Sequence, residues 1–230
     1  MPQRIERLLS FALTVAAVII AGVLVHREFF AKQRSSAAVT ARKPPEFVPY
    51  WRQFLSDGIV IGDSGAPINI VEFMDFECPF CKSFDATTRT FRNRYGRQIA
   101  VTLVHFPLPN HRFAVPAARA AECAAAQGRF DAFVNAIYDK QDSLGLKSWT
   151  SYARDALVSD TTLFADCTRE ITPISRVERG LPLARKIEAQ GTPTIIVNGW
   201  RFYSPPDSTE LDRVITSILA GRAPFATHRS

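Results

Sequence analysis

Hydrophobic residues fall along this chain in two regimes. Residues 8–25, LLSFALTVAAVIIAGVLV, form one unbroken apolar run without a charge. From residue 58 onward the apolar residues instead come in short runs or helical stripes divided by turn residues. GIVIG (58–62) predicts a short strand, and Gly65 and Pro67 mark a turn after it. INIVEFMDF (68–76) is nearly continuous, as in a strand buried on both faces. A helix is predicted from Pro79 to Tyr95, stopped by Gly96, and IAVTLVHF (99–106) is a second strong strand. From Ala114 to about Cys167 the pattern is helical, and another helix is predicted from Pro173 to Gln190. Thr194–Val197 then reads as a strand, Asn198-Gly199 as a tight hairpin turn and Trp200–Tyr203 as the returning strand. Residues 208–220 predict a last helix. The order amounts to one parallel βαβ unit and a later antiparallel hairpin, with a helical block between them.

As a helix the first run would span ~27 Å, close to the hydrocarbon thickness of a bilayer. It is longer than a usual signal-peptide core, and no small-x-small site follows at once. An uncleaved signal anchor in residues 1–30 is therefore expected ahead of a cleaved signal peptide. Arg27, Lys32, Arg34, Arg42 and Lys43 follow the run and outnumber Arg4 and Arg7 before it. Long domains translocate largely regardless of that bias. Residues 31–49 read as a polar linker ending in the stiff Pro44-Pro45 pair, with the folded domain over 50–225.

The net charge of +6 changes little, because the basic residues are scattered. The densest cluster, Arg89, Arg92, Arg94 and Arg97, reads as a solvated helix face, and no nucleic-acid motif accompanies it. There is no internal repeat, phosphate loop, HExxH or GxSxG.

The chemistry lies in VEFMDFECPFCKSF (71–84). Pro79 suits the first position of a helix, where its missing N–H costs nothing. Cys78 then falls at the N-cap, facing free N–H groups and the positive end of the helix dipole. Both favour the thiolate, the reactive form. Cys78 is the expected nucleophile, and Cys81, three positions on, the resolving thiol. Glu72 lies inside the apolar strand. Burial there would raise its pKa and let it carry a proton for Cys81, whereas a strand-edge position would leave it in solvent. In GTPTIIVNG, Pro193 opens a strand that reads as central; a proline there signals a cis bond in a tight turn or is an ordinary loop proline. Its pairing with the cysteine motif favours the first.

VEFMDFECPFC, HFPLPNH, AAECA and GTPTIIVNG together resemble the DsbA-like thioredoxin-fold oxidoreductases over about residues 55–220. The resemblance implies an α/β thioredoxin fold with a helical insertion at about 110–172, preceded here by the N-terminal transmembrane or signal helix. It implies that Cys78 is an exposed nucleophile and Cys81 its buried redox partner. It further implies that Glu72 is the buried acid, and that Thr192 and Pro193 form the cis-proline loop that pairs with extended substrate. The dipeptide between the cysteines is Pro79-Phe80, and the Phe80 side chain donates no hydrogen bond to the Cys78 thiolate. Phe80 and Tyr203 are candidates for an apolar rim that holds unfolded chains.

The remaining cysteines, Cys123 and Cys167, are expected to form a structural disulfide, since four cysteines leave one pair beside the redox pair. Such a bridge points to an oxidising compartment. Zinc is not expected, because no second CxxC or closely spaced His pair exists. His105 and His111 read as packed or capping residues, His105 with a minor claim on the active face, and Trp51, Trp149 and Trp200 read as packing.

The resulting expectation is a monomeric, membrane-anchored thiol–disulfide oxidoreductase facing the periplasm or cell exterior. It would act as a dithiol oxidase on thiols of exported proteins and pass electrons to a membrane quinone-linked thiol oxidoreductase, without metal or organic cofactor. A reductase or isomerase of the same fold is an alternative. So are a non-catalytic thioredoxin-fold chaperone or assembly factor and a Cu(I) metallochaperone.

Overall fold

The computed structural model describes residues 20–23, 26 and 43–225. The chain divides into two units, Met1–Lys43 and Pro44–Ser230. Of the first, Ile20–Val23 and His26 are helical and exposed. The rest of the apolar run at 8–25 lies outside the described residues. Among the described residues no helix is long and apolar enough to cross a membrane.

The second unit is built on a six-stranded sheet. Its strands are β1 (Glu46–Phe47), β2 (Ile59–Gly62), β3 (Ile68–Met74), β4 (Ile99–His105), β5 (Thr194–Val197) and β6 (Trp200–Phe202), in the spatial order β1-β6-β5-β3-β4-β2. Only β3 and β4 pair in parallel, joined through α2 (Pro79–Tyr95), the next helix after the short α1 (Phe54–Asp57); this is the predicted βαβ unit. All other neighbours are antiparallel. Asn198 and Gly199 both have positive φ, as a two-residue turn between twisted strands requires. The linker expected over 31–49 gives way to folded chain earlier. Glu46–Phe47 pairs with β6, and Val48 is buried. A two-residue edge strand has no periodicity to betray it.

Alternation along β3 sorts its side chains to two faces. Val71 and Phe73 join Trp51, Phe54, Val104, Ala184 and Ile196 in one core cluster. Ile68, Ile70 and Met74 join Phe84, Phe91 and the helical insertion in the other. Glu72 shares the second face, the one that holds both Cys78 and Cys81.

The insertion comprises α3 (Ala114–Ala125), α4 (Phe130–Asp139), α5 (Trp149–Asp155) and α6 (Thr161–Arg169). Cys123 of α3 is bonded to Cys167 of α6, the disulfide expected from the count. Helix α7 (Ser175–Lys186) is shorter than the predicted 173–190, ending before Glu188, which has positive φ. It crosses β4 closely: a Cβ on Gly180 would lie 1.5 Å from the His105 carbonyl oxygen. A last helix, α8 (Ser208–Leu219), closes the unit and is N-capped by Asp207.

The arginine cluster on α2 is an ion-paired surface. Arg92 meets Asp131, Arg94 meets Asp212, and Arg97, just beyond the helix, meets Asp63, all at 2.8–3.1 Å. Arg89 sits 3.1 Å from Asp139 and 2.9 Å from Asp85.

His105 is buried, and its ring faces Glu122. Its Nε2 lies 3.0 Å from Glu122 Oε1, and Arg176 Nε donates to both oxygens of the same carboxylate at 2.9 and 3.0 Å. Burial opposes ionisation of Glu122, but the bonds from His105 and Arg176 outweigh it and hold the pKa at about 2. Glu122→Ala leaves both partners without their acceptor and is expected to cost about 3 kcal/mol, measured by chemical denaturation at neutral pH. Because the folded-state pKa is depressed, the wild-type advantage is full above pH 4.5 and fades as pH falls toward about 2.

Candidate active site

The end of β3 and the start of α2 place the two cysteines. Cys78 is the N-cap of α2, in extended conformation, with Pro79 at the first helical position. Cys81 is on the inner face of α2 with Phe84, Asp85, Thr88 and Phe91. Both are free thiols.

Cys78 has its pKa lowered to about 5. The largest cause is the Cys81 thiol, which donates to it; burial opposes, and the Thr192 side chain and the backbone N–H groups of Cys81 and Phe80 lower it further. The Phe80 side chain adds none, but its backbone does. The Cys78 S–H also donates to the Thr192 carbonyl oxygen at 3.2 Å. That contact belongs to the protonated thiol, so the lowering is assigned to the donors and not to this carbonyl. Burial pushes the Cys81 thiol well up, as do its hydrogen bond with Cys78 and the nearby Glu72. One thiol is therefore ionised at neutral pH and the other is not, which separates a nucleophile from a resolving group.

Cys78 is not the exposed residue that the resemblance implied. It is only 4% accessible, because the Thr192-Pro193 loop packs over it. The exposed neighbour is Phe80, at 68%. The Thr192–Pro193 peptide bond is cis. Phe80, Gly191, Thr192, Pro193, Phe202 and Tyr203 line a cavity of about 320 Å³ beside the dithiol. The Tyr203 hydroxyl is tied to Glu46 and Arg201, so Tyr203 is a fixed wall of that groove.

Glu72 is buried in a central strand, between Leu103 of β4 and Ile195 of β5, and not at an edge. Its Oε1 has no hydrogen-bond partner among the described residues. Burial raises its pKa well above the usual carboxylate range, reinforced by Asp85 and Cys78, which favours the protonated carboxyl.

Three residues that hold this turn were not singled out by pattern. Gln141, in the short 3-10 turn just beyond the insertion's second helix, donates from Nε2 to the carbonyls of Phe76 and Cys78 at 2.8 and 3.0 Å. The buried Asp75 accepts from Glu77 N–H, Leu108 N–H and His111 Nδ1, each at 2.8 Å. Glu77 accepts from Phe113 N–H at 2.6 Å. A signal existed for Asp75: an acid ending a strand buried on both faces needs partners.

A family model described as Thioredoxin matches residues 55–217 of this chain, most of its length. The chain belongs to the thioredoxin family. The solved structures it resembles include BdbD from Bacillus subtilis, at 23% identity and a TM-score of 0.63, covering 78% of this chain and 98% of that one. A periplasmic thioredoxin-like protein from Salmonella enterica serovar Typhimurium matches at 22% and 0.60, over 76% and 99%. The thiol-disulfide exchange protein alpha-DsbA2 from Wolbachia pipientis matches at 16% and 0.59, over 73% and 91%. At these identities the likeness is one of fold. Among curated proteins, the Na(+)/H(+) antiporter NhaA 1 of Mycolicibacterium vanbaalenii is 34% identical over 168 residues, 71% of this chain but 26% of the antiporter. The chain thus spans about a quarter of that relative, and antiporter activity is not carried over. The helical insertion, the CxxC at a helix start and the cis-proline loop next to it are all present in this chain.

Proposed function

We propose that this protein oxidises cysteine pairs of exported proteins, from an extracytoplasmic domain tethered to the membrane by its N-terminal segment. The observation that carries the oxidising direction is the low pKa of Cys78 beside a buried, protonated Cys81. Stabilising the thiolate stabilises the reduced form, which makes the disulfide a stronger oxidant.

The cycle starts from the Cys78–Cys81 disulfide. A substrate thiolate, lying extended along Thr192-Pro193, attacks Cys78 Sγ. The Cys78–Cys81 bond breaks, and Cys81 leaves with the electron pair and takes the Glu72 proton. A second substrate thiolate then attacks the substrate sulfur of the mixed disulfide. Cys78 departs as a stable thiolate, the substrate gains one disulfide, and the protein is reduced by two electrons. A membrane quinone-linked thiol oxidoreductase would restore the disulfide. Phe80 and the groove wall hold apolar segments of the unfolded substrate. The extracytoplasmic site is supported by the Cys123–Cys167 bridge, which persists in oxidising compartments. Tethering is supported by the uncharged run at 8–25.

The test is stoichiometric. Oxidised full chain is mixed with a reduced two-cysteine peptide, and both products are quantified by thiol labelling and mass. One peptide disulfide per protein, with Cys78 and Cys81 becoming dithiol, is the expected result. An inert oxidised form together with a reduced form that cleaves the peptide disulfide would establish the reductase instead.

A further inference from the structure

Asp75 touches both members of the redox pair. Its backbone N–H points at Cys81 Sγ at 3.5 Å, and its carbonyl accepts from Cys78 N–H at 3.1 Å. Its carboxylate, fully buried, is held at both oxygens. Oδ1 takes the Glu77 N–H, while Oδ2 takes the Leu108 N–H and His111 Nδ1. A carboxylate only accepts, so Nδ1 is the protonated ring nitrogen. His111 comes from the segment between β4 and α3, and its side chain is 20% accessible. The exchange cycle proposed above assigns no part to these bonds.

We propose that Asp75, held by His111, is a positioning residue for the leaving thiol. The pair fixes the end of β3 so that the Asp75 N–H meets the negative charge that develops on Cys81. In the first half-reaction the substrate thiolate forms a bond to Cys78 Sγ, the Cys78–Cys81 bond breaks, and its electron pair moves onto Cys81 Sγ. A donor already aimed at that sulfur stabilises it at no reorganisation cost. A lower effective pKa of the leaving thiol speeds departure. The bond between Asp75 and His111 is charge-assisted, so its loss is felt more strongly than that of a neutral pair. Leu108 N–H alone would leave Oδ2 with a weaker hold, and the strand end free to turn away from Cys81.

The proposal rests on the exchange reading, and its test separates the two. Two rates are measured on the full chain: single-turnover oxidation of a cysteine peptide by the oxidised form, and alkylation of Cys78 in the reduced form at pH 7. The first develops charge on Cys81; the second does not. His111→Leu is expected to slow the first about tenfold and leave the second unchanged, because the lost bond is a charge-assisted one. His111→Asn places a donor near the Nδ1 position and is expected to recover most of the loss. Should His111→Leu not fold, Asp75→Asn, which keeps the shape and the Glu77 contact, is read the same way. An unchanged oxidation rate, or an equal loss in both measurements, overturns the positioning role. A wild-type protein that fails to oxidise the peptide overturns the exchange reading itself.

Discussion

Cys78→Ser reduces thiol–disulfide exchange to background, and in the wild-type dithiol Cys78 alkylates with a rate that rises through a midpoint near pH 5. A free cysteine reaches its midpoint near pH ~8.5. The sign follows from which form reacts: the thiolate does, so a pKa lowered to about 5 makes the rate climb through that pH and level off by neutrality. Cys81 stays slow across the range, because it is buried and its pKa is pushed up. Cys81→Ala should do two things at once. It removes the largest stabiliser of the Cys78 thiolate, so the alkylation midpoint moves up. It also removes the resolving thiol, so mixed disulfides through Cys78 persist on a gel without reductant. A wild-type midpoint near 8, or Cys81 alkylating first, would contradict the division of roles.

The second large effect is on stability. The Cys123–Cys167 bridge joins α3 to α6 across a sequence separation of 44. Cys123→Ala combined with Cys167→Ala is expected to cost about 4 kcal/mol, chiefly by releasing constraint on the unfolded chain. Cys123 is buried, but alanine at that position leaves only a small void, so packing adds little. Denaturant titration of the double variant against the wild type measures it. Removing the bridge leaves the βαβ unit intact, so exchange activity at low temperature should survive. A loss under ~1 kcal/mol would mean that the insertion is held by its apolar core alone.

The residues differ in how plainly they announced their roles. β3 and β4 were clear because both are nearly continuous apolar runs. The hairpin was clear because Asn198-Gly199 satisfies a turn that demands positive φ at both positions. Cys78, Pro79 and Cys81 carried a geometric logic of their own: N-cap, proline, inward face. Glu72 could be placed on the cysteine side only once the alternation of β3 was known to sort its faces. What stayed hidden depended on contacts between distant segments. Asp75 and His111 are 36 residues apart, and Gln141 lies 63 residues beyond Cys78. No local period links them. The sheet order could not be read either, since β1 has two residues and β2 pairs with β4 rather than with its neighbour in sequence. The burial of Cys78 is likewise a tertiary effect of the Thr192-Pro193 loop.

The reduction potential of the Cys78–Cys81 pair, measured on the full chain in glutathione buffers, tests the oxidising role most directly. Thioredoxin combines a nucleophile pKa of ~7 with a potential of about −270 mV, and DsbA combines ~3.5 with about −120 mV. A Cys78 pKa of about 5 falls between them. A potential of roughly −130 to −200 mV is therefore expected, oxidising enough to give disulfides to exported thiols. A value at or below ~−250 mV would make this protein a reductase that must be supplied with electrons.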